Sequence, residues 1–572
     1  MRKTAKYIFL TALPLGTLVA LIAYYAVDVP FWDEFGAVGI LLKKFYAGTL
    51  TFADFFAQHN EHRIIPGKII MFLNAAFNGW NICLEIAVNV LFAVGTSIVV
   101  FISIEDMHKL DGIKKSILYF TSAWLIFSFT QNENWTWGFQ MQILMCVFFA
   151  VLSLRLLADD AVFSAMIPAV LATFSFGSGM MVWPAGMVVL LLRCLTAERR
   201  LKKAEIFFWL AASVAVICLY FYNYRYITGG LTFTEKFKFL LTHIYLPVIL
   251  FLEYIGSPVS ASRKSIALAA SIIGFSIQVL CLWNYRRWDK NKCFWIGLDI
   301  FVMLCSAVTA FGRSDSLSDT MAARYISFGM LFWIATISLS AISLDEKFNL
   351  SWKHYVLPAL IILSLSLSEE ALKGARERNK GLSIFKAQIS EGIFDEEIFT
   401  RYIYPDKSFA LFLGMFKEHN LRNFQNAPGN IEFNGFRPCR FVSEDITDSD
   451  EVIVNILKFA QSSDGRWLNI AGNVSGRGSD KLYLVSEVIL HNDTDAFITW
   501  LPEEEAHTGT KPVKYENPLN MHKENSFAGE KLYCDGLPEG IYHIVLKFTD
   551  RKTGRIYYHS LAETIRSIKT HE

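Results

Sequence analysis

Residues 82–104 read ICLEIAVNVLFAVGTSIVVFISI, a run in which Glu85 is the one charged residue. A helix needs about 20 apolar residues to cross the hydrocarbon core of a bilayer, so this run predicts a membrane-spanning helix. Comparable runs recur throughout residues 1–368, and such a chain needs lipid as its solvent. We therefore predict a polytopic α-helical membrane protein with about 11 transmembrane helices. The candidate segments are residues 7–27, 82–104, 116–130, 141–158, 161–176, 180–193, 206–222, 264–284, 294–311, 325–343 and 354–368.

The charged residues divide the 572-residue chain into two unlike parts. Residues 1–368 contain 51 Asp, Glu, Lys and Arg residues, whereas the shorter stretch 369–572 contains 56. The first part is too apolar for an ordinary soluble domain. We predict a transmembrane domain over 1–368, a linker or helical segment over 369–429 and a separate domain over 430–572. The net charge of +1, with no Lys/Arg stripe, gives no reason to expect nucleic-acid binding.

The last region has the pattern of an all-β domain. Short alternating segments lie between Gly, Asn and Asp turns, and this regular spacing predicts a C-terminal β-sandwich. The clearest strands are residues 467–472, 482–490, 496–500 and 540–548. Cys439 and Cys534 are the two cysteines of this domain, and outside the cytoplasm they could pair, although their spacing does not establish it.

Basic residues predict the orientation of the chain. Four clusters follow or precede candidate spans so that all of them fall on one side, and an excess of Lys and Arg marks the cytoplasmic side. We expect a cytoplasmic amino terminus and an extracytoplasmic C-terminal domain. The first segment reads as an uncleaved anchor and not a signal peptide, since no clear A-x-A site follows it. The clusters are Arg2, Lys3 and Lys6; Lys109, Lys114 and Lys115; Arg193, Arg199, Arg200, Lys202 and Lys203; and Arg286, Arg287, Lys290 and Lys292.

On this topology the unusual residues lie in the outer loops, residues 28–81, 131–140, 177–179, 223–263 and 312–324. The first loop begins with Asp33 and Glu34 directly after Trp32. Adjacent carboxylates at a lipid boundary are costly to desolvate, and partial burial would raise a pKa towards the range of a general base. The alternative is a pair of solvated charges beside an interfacial tryptophan.

The same loop continues with a row of polar residues. Arg63 and Lys68 are candidates to hold a phosphate, Arg through its bidentate fork and Lys as a point charge. His59, Glu61 and His62 form an H-x-x-H pattern that is a weak metal signal without a third well-placed ligand. A plain hydrated loop is the competing interpretation. The row is Gln58, His59, Asn60, Glu61, His62 and Arg63.

The second outer loop, QNENWTWGFQ (131–140), is dense in aromatic and amide groups. Tryptophan rings such as Trp135 and Trp137 stack on sugars, and Glu133 and its amide neighbours can hydrogen-bond hydroxyl groups, so this composition suits a carbohydrate. An aromatic belt at the membrane surface explains it equally well. A short Gly-containing turn at 177–179 precedes Trp183 and could be only a hairpin.

The last outer loop carries Arg313, Arg324 and Tyr325. Two positive charges on the outer side run against the cytoplasmic excess of basic residues and favour an anionic ligand. A lipid-linked phosphate is an anion that lies at this depth of the membrane. Pairing of these arginines with Asp315, Asp319 or the acids of the first loop is the competing explanation.

The order of these motifs resembles the GT-C superfamily of membrane glycosyltransferases, which take sugars from polyprenyl-phosphate carriers. The resemblance covers residues 1–368 and is closest to bacterial Gtr-type glucosyltransferases that modify O-antigen. The motifs that carry it are Trp32-Asp33-Glu34, Gln58 to Arg63, Trp183-Pro184, and Gly312-Arg313 with Arg324-Tyr325.

The resemblance implies a role for each candidate residue. Asp33, or Glu34 in its place, would be the general base that deprotonates the acceptor hydroxyl, and the reaction would invert the anomeric carbon. A divalent metal is less necessary for a lipid-phosphate leaving group, although His59 and His62 leave it open, and no cofactor is expected. Arg63, Lys68, Arg313 and Arg324 would bind the phosphate. The sugar and acceptor would be bound by His59, Asn60, Glu61, His62, Glu133, Trp135, Trp137, Trp183 and Tyr325.

The resemblance thus implies a glycosyltransferase of the bacterial inner membrane, with a polyprenyl-phosphate sugar as donor and a lipid-linked or surface glycan as acceptor. A transporter or flippase of the same lipids is the first alternative. Its usual marks are ionisable residues within spans and internal repeats; Glu85 and Asp299 provide the former, and no repeat is visible. A non-enzymatic partner in glycan assembly is the second alternative.

Overall fold

The computed structural model describes a helical part and a set of strands. Its described residues in the helical part are 2–196, 202–225, 238–239, 242–260, 262–283, 289–313, 321–348, 351–366 and 368–390. Beyond residue 390 it describes 403, 413–422, 424, 437–438 and seven longer strands. The chain separates into two compact units, Met1–Asn379 and Lys380–Glu572.

The first unit is a bundle of α-helices joined by short turns, and the last of its helices, Glu369–Ser390, continues into the second unit. These helices are Arg2–Tyr25, Ile40–Tyr46, Phe52–Phe56, Ile65–Asn78, Ile82–Glu105, Gly112–Ile126, Asn132–Thr136, Met141–Ala158, Val162–Ser175, Val182–Cys194, Lys203–Phe221, Tyr245–Gly256, Lys264–Trp283, Lys290–Arg313, Ile326–Phe348, Lys353–Ser366 and Glu369–Ser390.

Within the described residues, eight helical stretches are long and apolar enough to cross a membrane, the architecture of a multi-pass helical membrane protein. They confirm the polytopic prediction, whereas three of the predicted spans correspond to helices of 14 or 15 residues, at 112–126, 162–175 and 353–366. The eight stretches are Ala5–Tyr25, Ile82–Glu105, Gly138–Ala158, Gly177–Cys194, Lys203–Phe221, Lys264–Trp283, Lys290–Arg313 and Ala323–Ser343.

One apolar helix was missed by the sequence analysis. Tyr245–Gly256 lies inside the stretch 223–263 that was predicted to be a loop. At 12 residues it is about 18 Å long, too short to cross a bilayer. It packs against its neighbours through hydrogen bonds from Ser271 Oγ to Leu252 O and from Ser306 Oγ to Phe251 O. It was missed because a search for span-length runs does not detect helices this short.

Side chains on the outside of the bundle fit lipid and not water. Phe9, Val214 and Ile272 lie on three different span-length helices and are more than half exposed. Other large aromatic side chains are fully enclosed, among them Trp209 and Trp295. Apolar side chains therefore cover both surfaces of these helices, as expected of helices surrounded by hydrocarbon.

The two ends of the bundle differ in chemistry. At one end, which we call the ionic end, Arg155 pairs with Asp106 at 2.5 Å and with Asp159 at 2.6 Å, and Lys290 reaches Asp159 at 3.1 Å. The opposite end, which we call the loop end, carries residues 26–81 and the start of the 138–158 stretch. Antiparallel helices alternate between these ends, so motifs far apart in sequence meet at the loop end.

Close helix contacts depend on glycine. A Cβ atom at Gly256 would lie 1.9 Å from the carbonyl oxygen of Ala267, on the facing helix. Small residues allow such close backbone approach between apolar helices. By contrast, a Cβ atom at Gly16, on the first helix, would meet nothing within 4 Å.

The second unit contains the short helix Leu413–Glu418 and two antiparallel sheets. One sheet has the order β1-β5-β4-β7-β8 and the other the order β2-β3-β6. The four strands predicted from sequence overlap β3, β4, β5 and β7, whereas Cys439 and Cys534 lie outside the described residues. The strands are β1 (Arg437–Pro438), β2 (Val452–Gln461), β3 (Trp467–Gly476), β4 (Leu484–His491), β5 (Ala496–Leu501), β6 (Asn525–Tyr533), β7 (Gly540–Asp550) and β8 (Ile556–Ser567).

We expect Gly256→Ala to destabilise the helical unit, because the added methyl group overlaps the Ala267 carbonyl and forces the two helices apart. Overpacking of this kind costs about 1–3 kcal/mol. Gly16→Ala is the matched control and should leave the thermal unfolding temperature in detergent unchanged or slightly higher, since alanine favours helix. Equal unfolding temperatures for the two variants would contradict this helix contact.

Candidate functional site

Glu34 is a fully buried carboxylate bonded to backbone. One oxygen accepts a hydrogen bond from the Phe31 N–H at 2.6 Å, and the other accepts one from the Phe139 N–H at 2.8 Å. Burial, and secondarily the nearby Glu85 carboxylate, raise the pKa of Glu34 well above its usual range, while the two N–H groups act in the opposite direction. Glu34 therefore joins the first loop to the turn at residue 138, and both of its oxygens are engaged by backbone N–H groups.

Gly138 allows this junction. A Cβ atom there would lie 2.5 Å from one oxygen of Glu85 and 3.0 Å from one oxygen of Glu34. The other oxygen of Glu85 accepts a hydrogen bond from Asn74 at 2.8 Å. The carboxyl groups of Glu34 and Glu85 thus lie next to residue 138, where only glycine leaves room for both.

Asp33 is held differently from its neighbour. Its side chain is 24% exposed, and its Oδ1 lies 3.4 Å from both His59 Nε2 and Asn60 Nδ2. Trp32, just before it, has φ +48°, a left-handed conformation that is costly for a bulky residue and is found most often at functional sites. The geometry therefore presents Asp33, and not Glu34, to the outside of the loop.

His59 and His62 are joined by a tight turn. The His59 N–H donates to the His62 carbonyl at 2.8 Å and the His62 N–H returns the bond at 2.9 Å. Asn60 has φ +47°, which asparagine tolerates, and Glu61 is exposed while its carbonyl accepts a hydrogen bond from Tyr224 Oη at 3.1 Å. This turn carries His59 to Asp33.

The His62 ring faces the opposite side of the turn. It packs on Phe176 with ring centres 4.1 Å apart, and a Cβ atom at Gly177 would lie 2.8 Å from its Nδ1. Burial, followed by the positive charges of His59 and Arg313, lowers its pKa to about 3, while the Asp33 charge acts in the opposite direction. His62 is therefore neutral at physiological pH and lies within electrostatic reach of both Asp33 and the last loop.

Arg63 and Lys68 are bonded to backbone oxygens. Arg63 donates to the carbonyls of Phe56, Tyr220 and Tyr222 at 2.6, 2.6 and 2.5 Å. Lys68 donates to the Ala57 carbonyl at 2.6 Å. Cations bind well at the carbonyl groups that end a short helix, here Phe52–Phe56. These bonds assign both residues to anchoring the loop and leave little of either side chain for the phosphate contact predicted from sequence.

Arg313 and Arg324 meet on one aromatic ring. Each guanidinium carbon lies 5.2 Å from the ring centre of Tyr325, and Arg313 donates to the Tyr325 hydroxyl at 2.5 Å. Tyr325 is buried and lies 6.5 Å, centre to centre, from Phe176. Phe176 in turn packs on His62, so this arginine pair reaches the first loop through two aromatic rings.

Glu133 links this pair to a third arginine. Its Oε2 lies 3.0 Å from Arg324 Nη1, and its Oε1 lies 3.5 Å from Arg378 Nη2. Arg378 also donates to Thr136 Oγ1 at 2.9 Å and lies over the Phe31 ring at 5.7 Å. Glu133 is therefore an ion-pair partner of two arginines.

Trp137 connects Phe31 to the aromatic ring that contacts His59. Its indole N–H donates to the Phe31 carbonyl at 3.1 Å, and its ring stacks on Phe139 at 5.7 Å, while Phe139 contacts His59 at 5.3 Å. Trp137 is 5% exposed, so it forms part of the wall. The contacts run continuously from Asp33 through these rings to the arginines. We call this set of residues the loop-end cluster; its members are Phe31, Asp33, His59, His62, Glu133, Trp137, Phe139, Phe176, Arg313, Arg324, Tyr325 and Arg378.

Two predicted sugar-binding tryptophans lie in the core. Trp135 is fully buried and donates to the Ser128 carbonyl at 2.8 Å. Trp183 is 1% exposed, donates to Thr173 Oγ1 at 3.0 Å and packs on Trp209 at 4.7 Å. Neither ring has a face available for stacking on a sugar. Sequence composition alone does not separate such core tryptophans from binding ones.

Sequence analysis missed Arg378 and Tyr220. Arg378 lies in the segment that was predicted to be a linker or helix, and no local pattern distinguishes it from its charged neighbours. Tyr220, at the end of an apolar run, receives the Arg63 N–H on its hydroxyl at 3.2 Å. Among the described residues, no group of three or more His, Cys, Asp and Glu side chains is placed to hold a metal ion.

Comparison with models of known protein families gives no match, and no curated protein matches the chain significantly. A function for this chain therefore rests on its own residues.

We expect Glu34→Gln to lower the thermal unfolding temperature by several degrees. Glutamine has one carbonyl oxygen, so one of the N–H groups of Phe31 and Phe139 would face an amide NH₂ group, and a buried polar group without a partner costs about 1–3 kcal/mol. Asp33→Asn, at the partly exposed neighbouring position, is the control and should unfold like the wild type. Equal stability of the Glu34 variant would refute the junction.

The depressed pKa of His62 predicts an acid-sensitive fold. Below about pH 6.5 the unfolded chain protonates this histidine, but the folded chain resists protonation until about pH 3, so the free energy of unfolding falls as pH decreases through this window. Denaturant unfolding between pH 7.5 and pH 4.5, compared for wild type and His62→Gln, measures the effect. The free energy of unfolding of the variant should depend less on pH than that of the wild type. An equal pH dependence in the two proteins would contradict the prediction.

Proposed function

We propose that this chain is a membrane glycosyltransferase of GT-C type, transferring a sugar from a polyprenyl-phosphate carrier to a lipid-linked or surface glycan. The observation that carries the proposal is the loop-end cluster, in which the partly exposed Asp33 carboxylate is connected through packed rings to the guanidinium groups of Arg313 and Arg324. An acid and a set of cations at the end of an apolar bundle suit an acceptor alcohol and a lipid-linked phosphate.

In this proposal Asp33 is the general base. Its carboxylate takes the proton of the acceptor hydroxyl, the hydroxyl oxygen attacks the anomeric carbon, and the bond between that carbon and the phosphate oxygen breaks. The electron pair of that bond leaves with the polyprenyl phosphate. His59 Nε2 lies 3.4 Å from Asp33 Oδ1 and helps to hold the carboxylate in place.

Arg313 and Arg324 stabilise the charge that develops on the phosphate. A phosphodiester carries one negative charge, and the phosphomonoester that leaves approaches two, so fixed cations bind the product more strongly than the donor. Tyr325 holds both guanidinium groups against one ring before substrate arrives, which reduces the reorganisation needed during the reaction. Arg63 and Lys68 contribute by holding the loop that carries His59.

We place this protein in the bacterial inner membrane, with the loop end and the C-terminal strands on the periplasmic side. The basic residues near the ionic end support this orientation by the positive-inside rule. A count of about 11 spans and a β-sandwich for the second unit belong to the same proposal.

A lipid-linked saccharide transporter is the second candidate, and buried acids within the bundle favour it. Asp299 lies in the helix Lys290–Arg313, is 4% exposed, and its Oδ1 has no hydrogen-bond partner within the described part of the chain. Ionisable side chains inside spans often mark transport pathways. Movement of the lipid across vesicles without any sugar transfer would support this candidate over the transferase.

We expect Asp33→Asn to reduce sugar transfer at least about 100-fold, since the amide cannot accept the hydroxyl proton. The measurement is product formation by the purified full chain with defined polyprenyl-phosphate sugars and glycan acceptors. Asp111→Asn, at a helix start on the ionic end where asparagine caps equally well, is the control and should keep full activity. Full sugar transfer by the Asp33 variant would contradict the role of Asp33 as the general base.

A further inference from the structure

Helix Glu369–Ser390 follows the last apolar helix, and its first two turns and the residues just after them lie against the loop-end cluster. Asn379 Nδ2 donates to the Tyr25 carbonyl at 2.9 Å, at the end of the first span. A Cβ atom at Gly374 would lie 3.4 Å from the Asn132 side chain, which shows how closely the helix approaches residues 132–136. The part of this helix up to Asn379, in the region predicted from sequence as a linker or helical segment, therefore belongs to the helical unit.

Arg378 projects from this helix into the cluster. Its side chain is 14% exposed, and it contacts Glu133, Thr136, Asn132 and the Phe31 ring. An arginine on the solvated face of a helix would be exposed and would not be enclosed in this way. Burial lowers the pKa of Arg378, the negative charge of Glu133 raises it and the positive charge of Arg324 lowers it further, and arginine stays charged at physiological pH.

The charges around Glu133 do not balance. One carboxylate lies between Arg324 and Arg378, at 3.0 and 3.5 Å, so these three side chains carry one net positive charge in a partly enclosed place. The geometry of the Arg378 contact, at 3.5 Å, is that of a loose ion pair and leaves donors of its guanidinium fork available. An anion that enters beside Glu133 would satisfy both arginines.

We propose that Arg378 is a third guanidinium of the phosphate site, lying beside Arg324 across Glu133, so that the helix after the last apolar helix is part of the substrate site. The inference rests on the proposed function, which supplies the ligand, the phosphate group of a polyprenyl carrier. Glu133 keeps two like charges close together, and the fork of Arg378 suits the phosphate oxygens.

The consequence is greatest for the leaving group. The phosphodiester of the donor carries one negative charge, and the phosphomonoester released carries nearly two at neutral pH. A further guanidinium therefore adds more to the binding of polyprenyl phosphate than to the binding of the donor. Arg378 acts as a charge-stabilising residue of the phosphate and takes no part in proton transfer.

The test is binding of polyprenyl monophosphate, with the uncharged polyprenol as reference, to the purified full chain in lipid nanodiscs. We expect Arg378→Gln to weaken polyprenyl phosphate binding at least about tenfold and to leave polyprenol binding unchanged. Arg378→Lys keeps the charge without the fork and should fall between wild type and Arg378→Gln. Arg376→Gln, an exposed arginine on the same helix, is the matched control and should bind like the wild type.

Each outcome separates the possibilities. Wild-type preference for polyprenyl phosphate over polyprenol, with no loss in Arg378→Gln, would overturn the role of Arg378 and leave the proposed function standing. No such preference in the wild type would overturn both. Equal loss of both ligands in Arg378→Gln and Arg378→Lys would mean that the residue only supports the fold. Inorganic phosphate should compete weakly in the wild type; binding as tight as that of the lipid would make a free anion the ligand.

Discussion

The carboxylate of Glu34, bonded to the N–H groups of Phe31 and Phe139, is the contact on which the geometry of the site depends. It joins the loop after the first span to the turn that begins the 138–158 stretch, two regions separated by about 100 residues. Asp33 is its chain neighbour, so the direction of the Asp33 side chain is a consequence of this junction. The same principle recurs at Arg63, which satisfies three backbone carbonyls at the end of an apolar bundle.

These anchors explain why charged residues occur where apolar helices end. A backbone group without a partner is costly near lipid, and irregular loops there survive only if side chains complete their hydrogen bonds. Glu34, Arg63 and Lys68 serve this purpose. Asp33, Arg324 and Arg378 are among the members of the loop-end cluster whose contacts are loose or partly exposed, which is the condition that a substrate-binding group must meet.

The sequence predicted the class of fold well and the individual roles less well. Span-length apolar runs such as 82–104 identify membrane helices because length and hydropathy are local properties. The helix Tyr245–Gly256 was missed because it is shorter than a span. Adjacent acids such as Asp33 and Glu34 cannot be told apart by sequence, because only tertiary contacts give Glu34 its structural role. Likewise, Trp135 and Trp183 are residues of the type found in sugar sites, but both rings are packed in the core.

The convergence of the outer motifs was predicted from an alternating topology, and the contacts of Asp33, His59 and Arg324 follow that arrangement. Arg378 could not be predicted in this way, because its role depends on a helix folding back onto residues 132–136. The most direct measurement is an experimental structure of the full chain with bound polyprenyl phosphate. The account predicts phosphate density within about 3 Å of the guanidinium groups of Arg324 and Arg378, on the same face as Asp33. Phosphate density at the ionic end, or separated from Asp33 by the packed core, would contradict it.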